Sequence, residues 1–180
     1  MDNNIEKILL SESEISETVR SLANTLNSFY NDSDEVILVG ILKGCISFYA
    51  DLARHLTFPV RFEFMCVSSY GAGTQSTGML RIDKDLTLDI SGRDVLIIED
   101  ILDSGNTLFQ LKKLLLQRGA GDLKLCCLLD KPSRRKADIA ADFVGKAIED
   151  EFVVGYGLDY NEQFRQLPYI GVLKRCIYEK

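Results

Sequence analysis

The stretch from Val95 to Thr107, VLIIEDILDSGNT, decides the fold. Val95 to Ile98 is continuously apolar, as in a strand buried on both faces of a parallel sheet, so we expect it at the centre of that sheet. The apolar residues that follow recur at helical spacing and stop at Arg118-Gly119; they are Leu108, Leu111, Leu114 and Leu115. The stretch therefore predicts a strand, an acidic turn and a helix, in that order.

The acidic turn carries two features that together indicate a bound ligand. Glu99 and Asp100 end the buried strand, where adjacent carboxylates repel each other and resist desolvation, so stability alone does not explain them. Asp103 to Thr107 lies where a helix begins, and the free N–H groups and the dipole of a helix start favour an anion. For Asp-Ser-Gly alone, a simple turn capped by Asp103 or Ser104 is the alternative. Both features together fit a phosphorylated sugar beside a divalent metal.

Five ordered motifs resemble those of a known enzyme family. Glu99 to Thr107 resembles the phosphoribosyl pyrophosphate (PRPP) signature of type I phosphoribosyltransferases. The other four are similar to motifs of hypoxanthine phosphoribosyltransferases; they are Leu42-Lys43-Gly44, Ser69-Tyr70-Gly71, Leu129 to Arg135 and Phe152 to Tyr160. The residues at Ser104, Asn106 and Asp130 to Arg135 resemble those of bacterial members. The similarity runs from about Ile8 to the C-terminus.

The resemblance implies an α/β protein with the type I phosphoribosyltransferase fold. That fold has a central, mostly parallel sheet flanked by helices, a small hood and a flexible lid loop, here at about 68–78. The implied reaction is the Mg²⁺-dependent transfer of the 5-phosphoribosyl group from PRPP to N9 of hypoxanthine or guanine. It gives IMP or GMP and pyrophosphate in purine salvage.

The resemblance also assigns roles around the ribose and its phosphate. Glu99 and Asp100 would meet the ribose hydroxyls and the metal. Asp103 would act at the N7 edge of the purine as general base or proton acceptor. The 5′-phosphate would lie in the loop after Asp103, which offers two hydroxyls, a glycine and the backbone N–H groups of a helix start; its residues are Ser104, Gly105, Asn106 and Thr107.

The remaining implied roles concern the base, the pyrophosphate and the lid. For the base, Lys131 would donate to the exocyclic oxygen, Phe152 would stack and Val153 would present its backbone; taken alone, these are a surface lysine and two core residues. Asp159 would hold a second metal on pyrophosphate, and Arg165 would bind the pyrophosphate oxygens. Leu42, Lys43 and Gly44 would line the pyrophosphate, and Ser69 and Tyr70 would belong to the lid. Relatives often have a cis peptide between the residues that match Leu42 and Lys43.

Periodicity predicts the elements around this site. Ser11-x-x-Glu14 is a capping-box pattern at the start of a first helix, and a second helix is expected over Gly44 to Leu56. Val60 to Cys66 alternates like a half-exposed edge strand, Ser68 to Thr77 is a polar loop, and Met79 to Ile90 is its supporting hairpin or arm. Further strands are expected over Val36 to Val39, Leu123 to Leu129, Phe152 to Val154 and Ile170 to Leu173.

Composition excludes several classes of protein. The length of 180 residues, with 46% hydrophobic and 27% charged residues, predicts one domain over 1–180. A net charge of −6 argues against nucleic acid as a partner and favours Mg²⁺ as the local compensation for an anionic substrate. The N-terminus lacks the positive start of a signal peptide and no apolar stretch could span a membrane, so we expect a cytoplasmic protein. The five cysteines show no disulfide or zinc spacing and are expected to be small apolar packers.

Other functions have less support. His55 is the only histidine and is expected to be structural, while Gly155-Tyr156-Gly157 lacks the third glycine of a dinucleotide fingerprint. Two alternatives stay open: a phosphoribosyltransferase that prefers xanthine and guanine, and a PRPP-binding regulator without turnover. The resemblance further implies a homodimer or a homotetramer.

Overall fold

The computed structural model describes residues 2–69 and 80–179. Their elements, in chain order, are β1 (Ile5–Leu10), α1 (Glu12–Phe29), β2 (Val36–Leu42), α2 (Ile46–Ala53), β3 (Val60–Ser69), β4 (Leu80–Lys84), β5 (Asp94–Leu102), α3 (Asn106–Gln117), β6 (Leu123–Asp130), a 3₁₀ turn (Pro132–Arg134), β7 (Phe143–Ala147), β8 (Val153–Val154), β9 (Ile170–Leu173) and α4 (Arg175–Tyr178). Ser11 and Glu14 form the predicted capping box at the start of α1. The predicted lid lies outside the described residues, apart from Ser68 and Ser69 at the end of β3.

Six strands of the described residues form the central sheet, in the order β4-β3-β2-β5-β6-β7. Neighbouring strands are parallel except β3 and β4, which are antiparallel. The strand that begins the deciding stretch, β5, lies between β2 and β6, so its predicted central position is confirmed. The carboxyl ends of β2, β5 and β6 therefore meet at one edge of the sheet, where ligands bind in folds of this kind.

Helices cover both faces of the central sheet. Leu96 and Ile98 of β5 pack on the face that α1 and α2 cover, whereas Val95 and Ile97 pack on the face of α3. The run from Val95 to Ile98 is continuously apolar because it contributes to a hydrophobic core on each face of the sheet. Cys126 and Cys127 divide between the same two faces, as their adjacent positions predict.

A second sheet brings the two ends of the described chain together. It is antiparallel, in the order β1-β9-β8, and β1 was not predicted from the sequence. We call β8, β9 and the intervening residues 155–169 the hood, which matches the hood that the resemblance implied. No helix among residues 2–69 and 80–179 has both the length and the apolar character needed to cross a membrane.

Several predicted details are wrong. The strand from Val60 to Cys66 is not at the edge, because the short polar strand β4 pairs with its outer side. The alternation of apolar and charged residues in this strand suggests that Phe62 faces the core and Glu63 the solvent, but Phe62 is 54% exposed, whereas Glu63 is buried and accepts hydrogen bonds from Thr87. The second helix begins at Ile46, not Gly44, because residues 43–45 form a turn, and it ends before His55. Of the cysteines that were expected to pack inside, Cys176 is exposed.

Candidate active site

A pocket of about 510 Å³ lies at the carboxyl ends of β5 and β6, beneath the hood. Six residues that the sequence nominated line it, namely Asp100, Asp103, Lys131, Phe152, Val153 and Asp159. Strand ends and the hood thus bring together residues that are up to 59 positions apart in the chain, from Asp100 to Asp159. Ile101, Arg134, Asp150, Glu151, Leu158, Arg175, Tyr178 and Glu179 complete the lining.

The acidic pair at the end of β5 is buried without a full set of partners. Asp100 is 8% exposed, and burial raises the pKa of its carboxyl to about 6, although the nearby Arg165 lowers it. Burial and the charge of Asp100 raise the pKa of Glu99 well above its usual range. The Ile101 N–H donates to Asp100 Oδ1 at 2.7 Å, whereas the buried Glu99 Oε2 has no hydrogen-bond partner among the described residues. Such a pair favours a cation or a hydroxyl-bearing ligand.

Glycines bring the turn after β2 against the acidic pair and the hood. A Cβ atom on Gly44 would lie 1.8 Å from Asp100 Oδ2, and a Cβ on Gly157, which has a φ of +103°, would lie 2.0 Å from Gly44 O. Both positions therefore require glycine. The peptide between Leu42 and Lys43 is cis, as the resemblance implied.

The loop after Asp103 is shaped by the segment that follows β6. The Arg135 guanidinium donates to the carbonyls of Leu102 and Asp103 and pairs with Asp130. The Ser104 carbonyl accepts from the N–H groups of residues 136 and 137 at 2.9 and 3.1 Å. Gly105 caps α3 with a φ of +80°, where a Cβ would lie 2.6 Å from Ile139 Cγ2. This fixed loop places Ser104 to Thr107 at the start of α3, which is a favourable position for a phosphate.

A carboxylate and two cations share the pocket wall near Asp103. The Asp103 side chain is 41% exposed, and its Oδ1 lies 2.9 Å from Arg134 Nε as an ion pair. Arg134 also pairs with Asp150 at 3.3 Å. Lys131 is 6% exposed, and burial lowers the pKa of its amine, while Asp103 and Asp150 oppose that change. The wall can thus present a proton acceptor and an ammonium donor to one ligand.

A second charged cluster lies between the turn after β2 and the hood. Arg165 Nη2 pairs with Asp159 Oδ1 at 2.9 Å and with Glu162 Oε1 at 3.2 Å, and its Nη1 donates to the Gly157 carbonyl. Glu162 Oε2 also lies 2.8 Å from Lys43 Nζ. One carboxylate therefore joins Lys43 and Arg165. The buried Arg165 Nε has no hydrogen-bond partner among the described residues.

The donor set suits a magnesium ion that is shared with a substrate. Among residues 2–69 and 80–179, no three Asp, Glu, His or Cys side chains lie close enough to form a metal site by themselves. Mg²⁺ is usually held by one or two carboxylates together with substrate phosphates. The buried, unpartnered Glu99 Oε2 beside Asp100 fits that pattern.

Comparison with known proteins identifies the family. A family model described as phosphoribosyl transferase domain matches residues 6–161. The chain is 53% identical to the hypoxanthine-guanine phosphoribosyltransferase of Bacillus subtilis (strain 168), and the match covers 99% of each chain. The chain belongs to the phosphoribosyltransferase family.

Further relatives agree with this membership. A crystal structure of a hypoxanthine phosphoribosyltransferase from Staphylococcus aureus superposes with a TM-score of 0.94 at 48% identity, covering 99% of this chain and 96% of that one. The bifunctional protein TilS/HprT of Listeria monocytogenes is 49% identical over the whole of this chain, which spans 28% of that protein. The type I phosphoribosyltransferase fold that the motifs predicted is therefore confirmed.

Sequence reasoning missed three side chains in and beside this phosphoribosyltransferase pocket. Arg134 belongs to the basic run that the motif contained, but its pairing with Asp103 has no sequence signal. Glu162 is an exposed residue with a φ of +63°, in a turn whose conformation the sequence does not reveal. Tyr178 lies in a four-residue helix, which is too short for periodicity to indicate which side it presents.

The substitution Asp100→Asn should stabilise the ligand-free protein at pH 8. Since burial raises the pKa of Asp100, the folded state binds this proton more tightly than the unfolded chain, and stability falls as the pH rises from about 4 to above 6. A rise of the pKa from 3.8 to about 6 corresponds to roughly 3 kcal/mol at pH 8. Thermal unfolding should show a gain of several degrees at pH 8 that shrinks towards pH 5.

The matched control for this prediction is Asp32→Asn, which removes an equal charge from an exposed position. Its unfolding temperature should follow that of the unmodified protein at both pH values. A loss of stability in Asp100→Asn at pH 8 would contradict the account of the acidic pair.

Proposed function

We propose that the protein is a hypoxanthine-guanine phosphoribosyltransferase. It transfers the 5-phosphoribosyl group from PRPP to N9 of a 6-oxopurine, with Mg²⁺, and releases pyrophosphate. The observation that carries this proposal is one pocket that the buried Asp100 lines together with Asp103 and Lys131, next to a Glu99 carboxylate whose Oε2 has no hydrogen-bond partner among the described residues. The names of the relatives at 48–53% identity support the same activity.

The ribose and its phosphate occupy the end of β5. Glu99 and Asp100 accept hydrogen bonds from the ribose hydroxyls, which supplies the partner that the buried Glu99 Oε2 lacks. The 5′-phosphate lies against Ser104, Gly105, Asn106 and Thr107 at the start of α3. Several charge-assisted hydrogen bonds, at about 1.5–3 kcal/mol each, contribute more there than the helix dipole.

The purine lies between the end of β6 and the hood. Lys131 donates to its 6-oxo group, Phe152 stacks on the ring, and the backbone of Val153 meets its edge. Asp103 faces N7. As the bond between C1′ and the pyrophosphate oxygen breaks and the bond between N9 and C1′ forms, the Asp103 carboxylate takes up the proton that the purine loses.

The pyrophosphate lies between the turn after β2 and the hood. Leu42, Lys43 and Gly44 line it from below, and Arg165 offers the planar fork that suits its oxygens. Glu99, Asp100 and Asp159 would hold Mg²⁺, the last of them on pyrophosphate. When bound, Mg²⁺ neutralises the charge that develops on the leaving group.

Further parts of the proposal concern the whole molecule. We infer a single domain over 1–180 that acts in the cytoplasm as a homodimer or a homotetramer. An exposed apolar face supports self-association. It consists of Ile46 on α2 and Phe62 on β3, and the ring of Phe62 packs edge-on against Tyr49 of α2. Ser69 and Tyr70 belong to a lid over about 68–78 that excludes water from the transfer step. Neither nucleic acid nor a membrane is a partner.

A spectrophotometric assay separates this function from its two alternatives. Purified protein with PRPP and Mg²⁺ is given hypoxanthine, guanine, xanthine, adenine or uracil in turn. Turnover of hypoxanthine and guanine supports the proposal, whereas a preference for xanthine and guanine supports the other enzyme. Binding of PRPP without turnover of any base would support the regulator.

The substitution Asp103→Asn should lower kcat by about 10²–10⁴-fold, since that is the usual contribution of a general acid or base. The KM for PRPP should change little, because the side chain faces the base and not the phosphates. Steady-state kinetics at saturating hypoxanthine measures both. Near-normal turnover by a correctly folded Asp103→Asn protein would remove Asp103 from the mechanism.

The substitution Glu162→Gln should tighten the binding of pyrophosphate about two- to fivefold, because exposed ion pairs are worth at most about 1 kcal/mol. The carboxylate that pairs with both Lys43 and Arg165 would no longer compete with the ligand. The inhibition constant of pyrophosphate against PRPP measures the effect. The control Glu17→Gln removes an equal charge from the exposed face of α1, and weaker inhibition of Glu162→Gln would refute the competition.

A further inference from the structure

The ring of Phe152 is one layer of an aromatic cluster that reaches the last helix. The ring of Tyr178 stacks on it, with centroids 4.8 Å apart and an angle of 24° between the planes. The ring of Tyr160 meets it edge-on at 5.6 Å. Such pairs are attractive beyond the area they bury, so each fixes the plane of its partner.

The helix that carries Tyr178 depends on contacts outside itself. α4 has only four residues, which is too short for a helix to be stable alone. The hydroxyl of Tyr160 donates to the Ile177 carbonyl at 3.3 Å. At the start of the helix, the backbone N–H and the Nζ of Lys174 donate to the carbonyls of Asn4 and Asn3, at 3.0 and 2.6 Å. The hood and the N-terminal segment thus hold α4 against the pocket.

Phe152 stays partly exposed beside the ring of Tyr178. A spacing of 4.8 Å leaves no room for a purine between the two rings. Phe152 is nevertheless 36% exposed and lines the same pocket as Asp103 and Lys131. Since Tyr178 covers one face of the ring, a base in this pocket would have to stack on the other face.

We propose that Tyr178 is a positioning residue for the purine. Its ring holds Phe152 from behind in the plane that the base requires, so that base, Phe152 and Tyr178 form a three-ring stack. This inference rests on the proposed function, in which Phe152 stacks on the purine. It assigns to the end of the chain a role in the affinity for the base and none in the binding of PRPP.

Steady-state kinetics with hypoxanthine tests the inference. Tyr178→Ala should raise the KM for hypoxanthine about three- to tenfold, which is the range expected from the loss of one aromatic pair. The KM for PRPP and the kcat should stay within twofold of the unmodified protein. Tyr178→Phe keeps the ring and should restore the KM for hypoxanthine. Cys176→Ser, at an exposed position of the same helix, is the matched control and should change nothing.

Four outcomes would overturn the inference. These are an unchanged KM for hypoxanthine in Tyr178→Ala, equal rises of both KM values, failure of Tyr178→Phe to restore the KM, and a lower KM for hypoxanthine. The last would mean that Tyr178 covers the face that the base needs. If Tyr178→Ala does not fold, Tyr178→Leu retains apolar bulk without an aromatic ring and is judged by the same criteria.

One more variant separates this inference from the function on which it rests. Phe152→Ala should raise the KM for hypoxanthine more than Tyr178→Ala does. An unchanged value in Phe152→Ala would refute the proposed base site itself. A raised value in Phe152→Ala together with an unchanged value in Tyr178→Ala would refute only the role of Tyr178.

Discussion

The burial of two adjacent carboxylates at the end of the central strand is the constraint on which the rest of the site depends. Glu99 and Asp100 end β5, between β2 and β6, where solvent cannot stabilise their charges. Burying a charge without a partner is costly, so the folded protein without ligand carries an unfavourable interaction at its centre. In the proposed function, the hydroxyls of the substrate and a metal ion would relieve this interaction. Part of the binding free energy of that substrate would then come from the removal of an unfavourable interaction within the folded protein.

The elements around this pair orient the remaining groups of the site. Arg135 and the backbone of residues 136 and 137 hold the carbonyls of the loop that follows Asp103. Asp103 and Ser104 share this support, so the proposed proton acceptor and the proposed phosphate loop are fixed by the same short segment, residues 135 to 137. On the other side, the hood contributes Asp159 and Arg165, which already pair with each other. In the ligand-free protein, the sheet thus positions the acidic pair, and ion pairs within the hood neutralise the charges of Asp159 and Arg165.

The fold could be predicted from the sequence where a local pattern of residues is typical of a single kind of structure. The continuous apolar run of Val95 to Ile98 predicts a central parallel strand, and Ser11 with Glu14 predicts the start of α1. Prediction failed where long-range pairing decides the outcome. β1 becomes a strand because β9 is available to pair with it, and β3 is internal because β4 covers its edge. Local polarity at these positions carries no information about the partner strand.

The site shows the same difference between local sequence patterns and long-range contacts, and this difference limits how the preference for a base can change. Motifs located Asp103 and Lys131, but the contacts of Glu162 and Tyr178 arise only after distant segments meet. Gly44 lies against the Asp100 carboxylate, and Gly157 lies against the backbone of Gly44, so neither position accepts a side chain. These two positions are therefore closed to substitution. A lineage or a laboratory selection that alters base preference would therefore work through Phe152, Val153 and α4, which line the pocket together with Lys131.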